Sequence, residues 1–418
     1  MHDHVSTAVA TTVQSVCPNG FTESCMFLYV AACHCRSPLI YEDMGNRGSS
    51  RGLGYIFEPL DISKIFEQCM LLRYSKFLIT SPNQFGFKKG YSCSHAIYSV
   101  RRVVDYYVNG GSMVNLCLLD LSKAFDKMNH YALYIKLMNK SVPLCVLSVL
   151  ENWYSLCLSC VKWGSTMSYF YELKTGVRQG GVLSPVLFGI FIDDLVTLVN
   201  DANIGCRIGM CCVAIFLYAD DIILLAPSVQ ALQSLVNICV TELNFLDMAI
   251  NTTKSSCLRY GSRYKNDCAC VTVSGSAITW ATSARYLGIY LEVSAKFKCS
   301  FATNKAKFFK AFNSIFGKVG RNASEEVLFA LIKSKCLPIL FYGFEACPIN
   351  STVRRSMEFT MNKILFKIFG AMSTDCFRYV WECFGIDPLE QLIQKRQDKF
   401  NKKYSACDNL LCLVICRH

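Results

Sequence analysis

The chain has 418 residues, of which 52% are hydrophobic and 18% charged, a composition typical of a folded globular protein and not of a disordered one. No apolar run approaches the roughly 20 residues that span a bilayer. The first Lys or Arg is Arg36, so the N-terminus lacks the basic start of a secretory signal or transit peptide. We therefore expect an intracellular protein, nuclear or cytoplasmic, that is neither secreted nor inserted in a membrane.

The net charge of +12 is unevenly distributed along the chain. Residues 296–418 hold 20 Lys and Arg against 10 Asp and Glu, whereas the first 295 residues hold 23 against 21. A basic C-terminal third is typical of a surface that binds nucleic-acid phosphates, although a solvated helical surface has the same composition. The 25 cysteines are odd in number, scattered and without paired zinc spacing, so we interpret them as reduced thiols.

The first predicted elements are helical. Residues 1–55 show no clear periodicity, and a helical pattern then extends from Leu60 to Tyr107. It is broken by the stretch SPNQFGFKKG, where Pro, Asn and two Gly predict a turn or loop that carries Lys88 and Lys89.

Acidic residues then follow short apolar runs at two places. The strand-like run from Leu116 to Leu119 ends on Asp120, and Asn129 is placed to cap the next helix. Further along, FLYADDIILLAP sets Asp220 and Asp221 between two apolar flanks, which predicts a β-hairpin with both residues at its tip. Aspartate is also a common turn residue, so this pair alone does not separate turn formation from chemistry.

The segments around the hairpin complete the plan. Before it, TGVRQGGVLSPVLFGIF predicts a glycine-rich turn and a helix with Ser184 as N-cap and Pro185 at its first position. After it, Ser228 caps a periodic helix, which is followed by strand-like SCLRY, a hairpin in VTVSGSAITW and the strand-like ARYLGIYLE. The C-terminal third is largely helical. These patterns predict an α+β body with a helical appendage.

The acidic residues indicate phosphoryl transfer if they share one sheet. Asp120 and the pair Asp220 and Asp221 each lie at the end of an apolar strand, and antiparallel neighbours would bring them together. Clustered carboxylates repel one another unless divalent cations neutralise them. Mg²⁺ prefers a few carboxylates plus substrate phosphates, and two such ions about 3.5 to 4 Å apart can clamp the attacking and leaving oxygens of a phosphoryl displacement.

The order DLSKAFD, GVRQGGVLSP, YADD, NTTKS and YLG resembles the reverse transcriptases of non-LTR (LINE-like) retrotransposons. NQFGFKKGYS and LPILFYGFEACP are also similar to that group, and the resemblance covers roughly residues 60 to 400. It implies an α+β right-hand polymerase whose palm carries an antiparallel sheet. The implied regions are a poorly defined segment 1–55, fingers 56–111, a palm 112–295 with a fingers insertion near 140–172, and a basic helical thumb and C-terminal region 296–418.

The resemblance further implies an RNA-directed DNA polymerase that adds dNTPs to a primer 3′-OH by a two-metal mechanism. Asp120, Asp220 and Asp221 would bind two Mg²⁺ ions, with Mn²⁺ as an alternative, and the backbone carbonyl of Leu121 would be a further ligand. The implied partners are an RNA template and a DNA primer, present as an RNA/DNA duplex, together with dNTPs, and they do not include a membrane.

Further residues match positions that contact the nucleotide or the template in that family. Phe125, five positions after Asp120, would block a ribose 2′-OH and so favour deoxynucleotides, with simple core packing as the alternative. Gln179 and Gly180 would line the nucleotide and template-base pocket, where a missing Cβ lets the backbone approach a ligand. Arg178 would hold a template phosphate.

Three lysines complete the predicted site. Lys254, in NTTKS, would donate a proton to the departing pyrophosphate, and its alternative role is that of a solvated loop lysine. Lys88 and Lys89 would face the incoming triphosphate from the fingers.

Departures from the family pattern leave other functions open. The stretch before Ile62 lacks the Tyr-Arg-Pro entry that usually precedes the fingers, and residues 1–55 are too few for an endonuclease, so we expect no nicking of a target by this chain. The main alternative is a catalytically lapsed relic that only binds nucleic acid. A maturase-like or telomerase-like enzyme working within an RNA-protein particle is a weaker one.

Overall fold

The structure is a computed structural model that describes residues 40–43, 55–57, 61–164, 166–178, 180–319, 323–371 and 373–417. Most of the predicted N-terminal segment, and Gln179 in the glycine-rich turn, therefore lie outside the described residues. The chain divides into two compact units, each built from separated stretches. Unit 1 comprises Met1–Phe87, Asp120–Ala202 and Asn237–Asn251, and unit 2 comprises Lys88–Leu119, Asn203–Val236 and Thr252–His418.

Strands occur up to residue 300 and helices predominate after it, as the sequence pattern predicts. The strands are β1 (Ile40–Asp43), β2 (Tyr55–Phe57), β3 (Val114–Leu119), β4 (Leu158–Trp163), β5 (Thr166–Met167), β6 (Tyr171–Glu172), β7 (Arg207–Ile208), β8 (Cys211–Cys212), β9 (Ile215–Tyr218), β10 (Asp221–Ala226), β11 (Ser256–Tyr260), β12 (Val271–Val273), β13 (Ser276–Trp280), β14 (Ser283–Tyr286), β15 (Ile289–Glu292) and β16 (Lys298–Ser300). The helices are α1 (Asp61–Tyr74), α2 (Cys93–Asn109), α3 (His130–Asn139), α4 (Leu144–Ser155), α5 (Ser184–Phe191), α6 (Asp194–Asp201), α7 (Val229–Phe245), α8 (Ala302–Val319), α9 (Glu325–Leu331), α10 (Leu337–Leu340), α11 (Ser351–Phe369), α12 (Thr374–Cys383), α13 (Leu389–Ser405) and α14 (Leu410–Arg417).

Unit 1 combines a small mixed sheet with a group of helices. Its strands follow the order β2-β1-β4-β5, with β6 also paired to β4, and β1 runs parallel to β4. A buried lysine joins three of its helices: the Lys136 ammonium donates to Asp194 at 2.5 Å and to Glu242 at 2.8 Å. Because a buried charge is costly unless it is paired, these two carboxylates stabilise the junction of α3, α6 and α7.

Unit 2 is organised around a six-stranded sheet with the order β12-β13-β11-β3-β10-β9. Strand β3 is central and pairs antiparallel with β10 on one side and β11 on the other. Its residues Val114, Leu116 and Cys117 are fully buried, as are Ile223 and Leu224 of β10. Both faces of β3 are covered, which explains why its sequence VNLCLL is a nearly continuous apolar run and does not alternate.

Local signals in the sequence are mostly confirmed. The Asn129 side chain caps α3 by accepting from the backbone N–H groups of Tyr131 and Ala132. The Ser228 hydroxyl accepts from the N–H of Ala231 at the start of α7. The prediction that Ser184 is an N-cap is wrong by one position, because α5 begins at Ser184 and Leu183 precedes it.

The C-terminal third is helical after β16, as expected. A π-helical segment, Ile332–Cys336, connects α9 to α10. Near the C-terminus, α13 packs against α2, where the Tyr404 hydroxyl lies 2.7 Å from the Ser99 hydroxyl and both groups are buried. Among the helices in the described ranges, none has both the length and the hydropathy needed to cross a bilayer.

Gly205 is tightly enclosed in unit 2. Its backbone has a φ of +90°, and a Cβ there would lie 2.6 Å from the Ala214 Cβ and 2.9 Å from both the Leu225 carbonyl oxygen and the Leu235 side chain. Gly209 also has a positive φ, +56°, but a Cβ there would have no neighbour within 4 Å.

We therefore expect Gly205→Ala to destabilise the fold by about 1–3 kcal/mol more than Gly209→Ala, because only the former adds a clash to the strained backbone. The measurement is the urea midpoint of unfolding for both variants and the wild type. Equal losses in the two variants would contradict the packing argument.

Candidate active site

The hairpin predicted around Asp220 and Asp221 is present. Strand β9 pairs antiparallel with β10, and Asp221 lies opposite Tyr218 across the turn formed by Ala219 and Asp220. Ala219 has a φ of +56°, a left-handed conformation that is uncommon for a residue with a Cβ. The apolar flanks are buried, whereas both aspartates are half-exposed. Burial of the two strands therefore holds a strained turn that presents two carboxylates.

Strand β3 ends beside the start of β10. The antiparallel ladder between them extends from Asn115 paired with Ala226 to Leu119 paired with Ile222. Asp120 is the next residue after Leu119, and Asp221 is the residue before Ile222. In the part of the chain that the structure describes, no three His, Cys, Asp or Glu side chains are grouped so as to hold a metal ion by themselves.

The YLG segment lies near the hairpin. Tyr286, at the end of β14, is almost fully buried. Burial raises the pKa of the Tyr286 hydroxyl well above its usual value, and the Asp221 carboxylate raises that pKa further. Two of the motifs recognised in the sequence, YADD and YLG, are therefore close enough in space to interact electrostatically.

The backbone around Asp120 forms hydrogen bonds with residues 249–251, which follow α7. The N–H of Asn251 donates to the Asp120 carbonyl at 2.8 Å, and the N–H of Ser122 donates to the Ala249 carbonyl at 2.9 Å. These two bonds flank a bridge between Leu121 and Ile250. Neither of these two hydrogen bonds uses the carbonyl oxygen of Leu121.

Phe125 is held by aromatic packing within unit 1. Its ring stacks on Phe188 of α5 with centroids 4.6 Å apart and meets Phe87 edge-on at 6.4 Å. The side chain is partly exposed. Phe125 is therefore packed against other aromatic rings and partly exposed, and its predicted contact with a ribose stays a prediction.

The start of the glycine-rich turn packs against the segment after Phe125. The N–H of Gly176 donates to the Met128 carbonyl at 2.8 Å, and the N–H of Val177 donates to the Phe125 carbonyl at 2.8 Å. Gly176 has a φ of +89°, and a Cβ there would lie 2.7 Å from the Asp126 carbonyl oxygen. Only glycine fits this approach. Gly180 is exposed with a φ of +82°.

The Arg178 side chain is buried within unit 1. Its side chain is only 4% exposed, and its guanidinium packs 4.5 Å from the centre of the Trp153 ring. One of its nitrogens donates to the Cys157 sulfur at 3.5 Å. These contacts show that Arg178 packs within unit 1, and its predicted contact with a template phosphate stays a prediction.

The predicted lysines lie in turns. Lys254 is exposed in the turn before β11, Lys89 is exposed, and Lys88 is half-exposed in the turn before α2. These positions are compatible with phosphate contacts and equally with solvated loops, so the functions assigned to these residues stay predictions.

Sequence reasoning missed Glu67, a buried carboxylate on α1 that accepts a hydrogen bond from the N–H of Leu183 at 2.7 Å. The helical spacing of the sequence could have indicated this residue. One face of α1 is buried, and it consists of Ser63, Phe66, Glu67 and Met70. An acidic residue on such a face indicates a specific partner.

His130 was also missed. Its Nε2–H donates to the Gly176 carbonyl at 2.6 Å, which anchors the glycine-rich turn to α3, and its ring packs 4.6 Å from that of Tyr154.

Comparison with known proteins identifies the class. Residues 58–291 match the family model described as "Reverse transcriptase (RNA-dependent DNA polymerase)". This stretch is more than half of the 418 residues, and the chain belongs to the reverse transcriptase family. With the sheet of unit 2, in which every pair except β11 with β13 is antiparallel, this membership confirms the predicted fold class, an α+β right-hand polymerase.

The similar proteins are encoded by non-LTR retrotransposons, as the motif order predicts. The chain is 22% identical to the Pol polyprotein of the type-2 retrotransposable element R2DM of Drosophila melanogaster, over 58% of this chain and 24% of that protein. It is 27% identical to the RNA-directed DNA polymerase of the mobile element jockey of Drosophila funebris, over 59% of this chain and 26% of that protein. It is 25% identical to the Pol polyprotein of a type-1 element R2 of Popillia japonica, over 62% of this chain and 43% of that protein. The chain thus spans less than half of these relatives.

Among solved structures, telomerase from Candida albicans aligns with 91% of this chain and 64% of its own, at a TM-score of 0.46 and 12% identity. Telomerase from Candida tropicalis aligns with 91% of this chain and 66% of its own, at a TM-score of 0.44 and 14% identity.

His130 generates a prediction about pH. Burial lowers the pKa of its imidazole, and the hydrogen bond to the Gly176 carbonyl opposes that effect only in part. The folded-state pKa thus lies below the unfolded value of about 6.5. As the pH falls through about 6.5, the unfolded chain binds a proton that the folded chain does not, so the free energy of unfolding decreases.

We expect His130→Gln to weaken this acid dependence. The measurement compares the urea midpoint at pH 7.5 and at pH 5.5 for the variant and the wild type. A decrease of the same size in both proteins would show that His130 does not carry the effect.

Proposed function

We propose that this chain is an RNA-directed DNA polymerase of a non-LTR retrotransposon, which extends a primer 3′-OH with dNTPs by a two-metal mechanism. The observation that carries the proposal is the ladder between β3 and β10. The last pair of this ladder joins Leu119 and Ile222. Asp120 follows Leu119, Asp221 precedes Ile222, and Asp220 lies in the hairpin turn. The chain that carries these residues belongs to the reverse transcriptase family. Acidic residues at adjoining strand ends suit phosphoryl transfer better than they suit turn formation alone.

The proposed ligand atoms are of the chemical type that Mg²⁺ prefers. Carboxylates of Asp120, Asp220 and Asp221 and the carbonyl of Leu121 are hard oxygen ligands of the type this ion prefers, and Mn²⁺ accepts the same donors. Mg²⁺ commonly binds one or two carboxylates together with substrate phosphates, so a cage of three protein groups is not required. When bound, two such ions stabilise the attacking and leaving oxygens of an in-line displacement.

The other residues of the proposed site position the substrates. The Phe125 ring, supported on Phe188, would stand where a ribose 2′-OH passes and would exclude ribonucleotides. Gln179 and the exposed Gly180 would line the nucleotide and the template base, and Lys254 would donate a proton to the departing pyrophosphate. Orientation of this kind contributes much of the rate in reactions between two bound substrates.

The proposed partners are an RNA template paired to a DNA primer, and dNTPs. Support comes from the basic residues 296–418, where lysines of several helices are exposed, among them Lys310, Lys335, Lys363 and Lys399. Such a surface attracts a duplex through its phosphates, while base pairing supplies the sequence information. We propose that these helices form the thumb and that residues 112–295 form the palm, in a protein that works in the nucleus or cytoplasm.

Asp220→Asn tests the proposed chemistry. The loss of one carboxylate should lower dTTP incorporation on a poly(rA)/oligo(dT) primer-template with Mg²⁺ by roughly 100-fold or more. Asp201→Asn is the matched control, because Asp201 is exposed at the end of α6 and should leave incorporation unchanged. A wild type that is folded and binds the duplex but does not extend the primer would exclude the enzyme and leave the lapsed relic.

Phe125→Ala tests nucleotide selection. Removal of the ring should raise incorporation of rCTP relative to dCTP by about 10- to 200-fold, because the 2′-OH then meets open space. The measurement is the ratio of kcat/KM for the two nucleotides. Phe245→Ala, at an exposed position of α7, is the control and should leave that ratio unchanged. An unchanged ratio in Phe125→Ala would assign Phe125 to packing alone.

A further inference from the structure

Glu67 is a carboxylate in the interior of unit 1. It lies on the buried face of α1, beside Phe66 and Met70, and is 2% exposed. Burial raises the pKa of this carboxyl, while the hydrogen bond from Leu183, the charge of Arg178 and the hydrogen bond from Val182 lower it. A buried carboxylate is costly unless hydrogen bonds and an opposite charge compensate it. Its partners therefore identify what it stabilises.

Apart from Lys64 on α1 itself, whose charge also lowers the pKa of Glu67, these partners belong to residues 178–183, the part of the glycine-rich turn that leads into α5. The Glu67 carboxylate accepts from the N–H of Leu183 at 2.7 Å, immediately before α5. Arg178, at the other end of the turn, is attracted to the same carboxylate while its guanidinium stacks on Trp153. The Glu67 carboxylate thus contacts one end of this segment through a hydrogen bond and acts on the other end through electrostatic attraction.

The packing inside the turn leaves little space around the Glu67 carboxylate. A Cβ at Gly181 would lie 2.6 Å from the Ser184 hydroxyl, 3.1 Å from the Glu67 carboxylate and 3.2 Å from the Arg178 carbonyl oxygen. The remaining cavity, bounded by Glu67, Trp153, Arg178 and Leu183 among others, has a volume of about 10 Å³. This is space for at most one water molecule. The carboxylate is therefore closely surrounded by the residues of the turn and of α4.

Between these two anchored ends lie Gln179 and the exposed Gly180, whose φ of +82° is accessible to glycine at little cost. Gly180, in the middle of the turn, is three residues from Leu183, so a restraint on the Leu183 backbone limits the positions that Gly180 can occupy. The middle is the part that the proposed function assigns to the nucleotide and the template base.

We propose that Glu67 is a positioning residue that holds the glycine-rich turn in the shape that the nucleotide site requires. This inference rests on the proposed polymerase function for its catalytic consequence. Glu67 does not itself contact the reacting groups. It acts through the backbone of Val182 and Leu183 and through Arg178.

The test compares Glu67→Ala, Glu67→Gln and the control Gln68→Ala, an exposed neighbour on the same helix. Glutamine retains an oxygen that can accept from the N–H of Leu183, whereas alanine retains none. We expect Glu67→Ala to raise the KM for dTTP about tenfold with a smaller change in kcat. Glu67→Gln should restore most of the affinity, and Gln68→Ala should match the wild type.

A second readout does not depend on activity. Hydrogen–deuterium exchange in peptides covering residues 178–184 should be about tenfold faster in Glu67→Ala than in the wild type, and close to wild type in Glu67→Gln. If the wild type does not extend primers, the proposed function fails while the exchange comparison still decides the positioning role. Unchanged exchange and unchanged KM in Glu67→Ala would overturn the proposal, as would equal defects in the alanine and glutamine variants.

Gly181→Ala covers the case in which Glu67→Ala does not fold. It leaves the carboxylate in place and pushes on the same turn from inside, since the added Cβ meets the Ser184 hydroxyl and Glu67. We expect the same rise in KM and the same faster exchange in residues 178–184. A Gly181→Ala protein with wild-type values for both would overturn the proposal.

Discussion

The antiparallel pairing of β3 with β10 is the constraint on which the rest of the candidate site depends. The register from Asn115–Ala226 to Leu119–Ile222 sets where both strands end, and those ends carry Asp120 and Asp221. A slip of one residue would turn every side chain of a strand to the other face and separate the acidic positions. The register is strongly specified because Leu116, Cys117, Ile223 and Leu224 are all fully buried. Hydrophobic packing therefore fixes the position of polar groups that contribute nothing to the core.

A second set of constraints comes from buried charges in unit 1. Lys136 is satisfied by Asp194 and Glu242, and Glu67 is satisfied by the backbone before α5 and by Arg178. Each of these groups would be costly if left alone, so each requires a specific arrangement of the elements around it. His130 adds a neutral anchor for Gly176. Gly181 then allows the backbone to approach Ser184 and Glu67, and Gly176 allows it to approach the Asp126 carbonyl, at distances that a Cβ would make unfavourable.

Much of the fold could be predicted from short-range patterns. The hairpin around Asp220, the cap at Asn129 and the helix after Ser228 depend on residues close together in sequence, and all three are present. The environment of Arg178 could not be predicted from short-range patterns. The family resemblance implies a phosphate contact for this residue, whereas its stacking on Trp153 depends on a residue 25 positions away whose proximity no local pattern encodes.

The sequence by itself determined the class of the protein, the order of its motifs and the identity of the acidic residues, because chemistry at a site restricts residue type and spacing within each motif. Only the tertiary structure decided which groups contact and support those motifs. Asn251 donates to the Asp120 carbonyl, Phe188 stacks on Phe125, and Glu67 accepts a hydrogen bond from the end of the glycine-rich turn. The reason is physical. These supports are single contacts between distant segments, and each depends on burial and distance, quantities that exist only once the chain is folded.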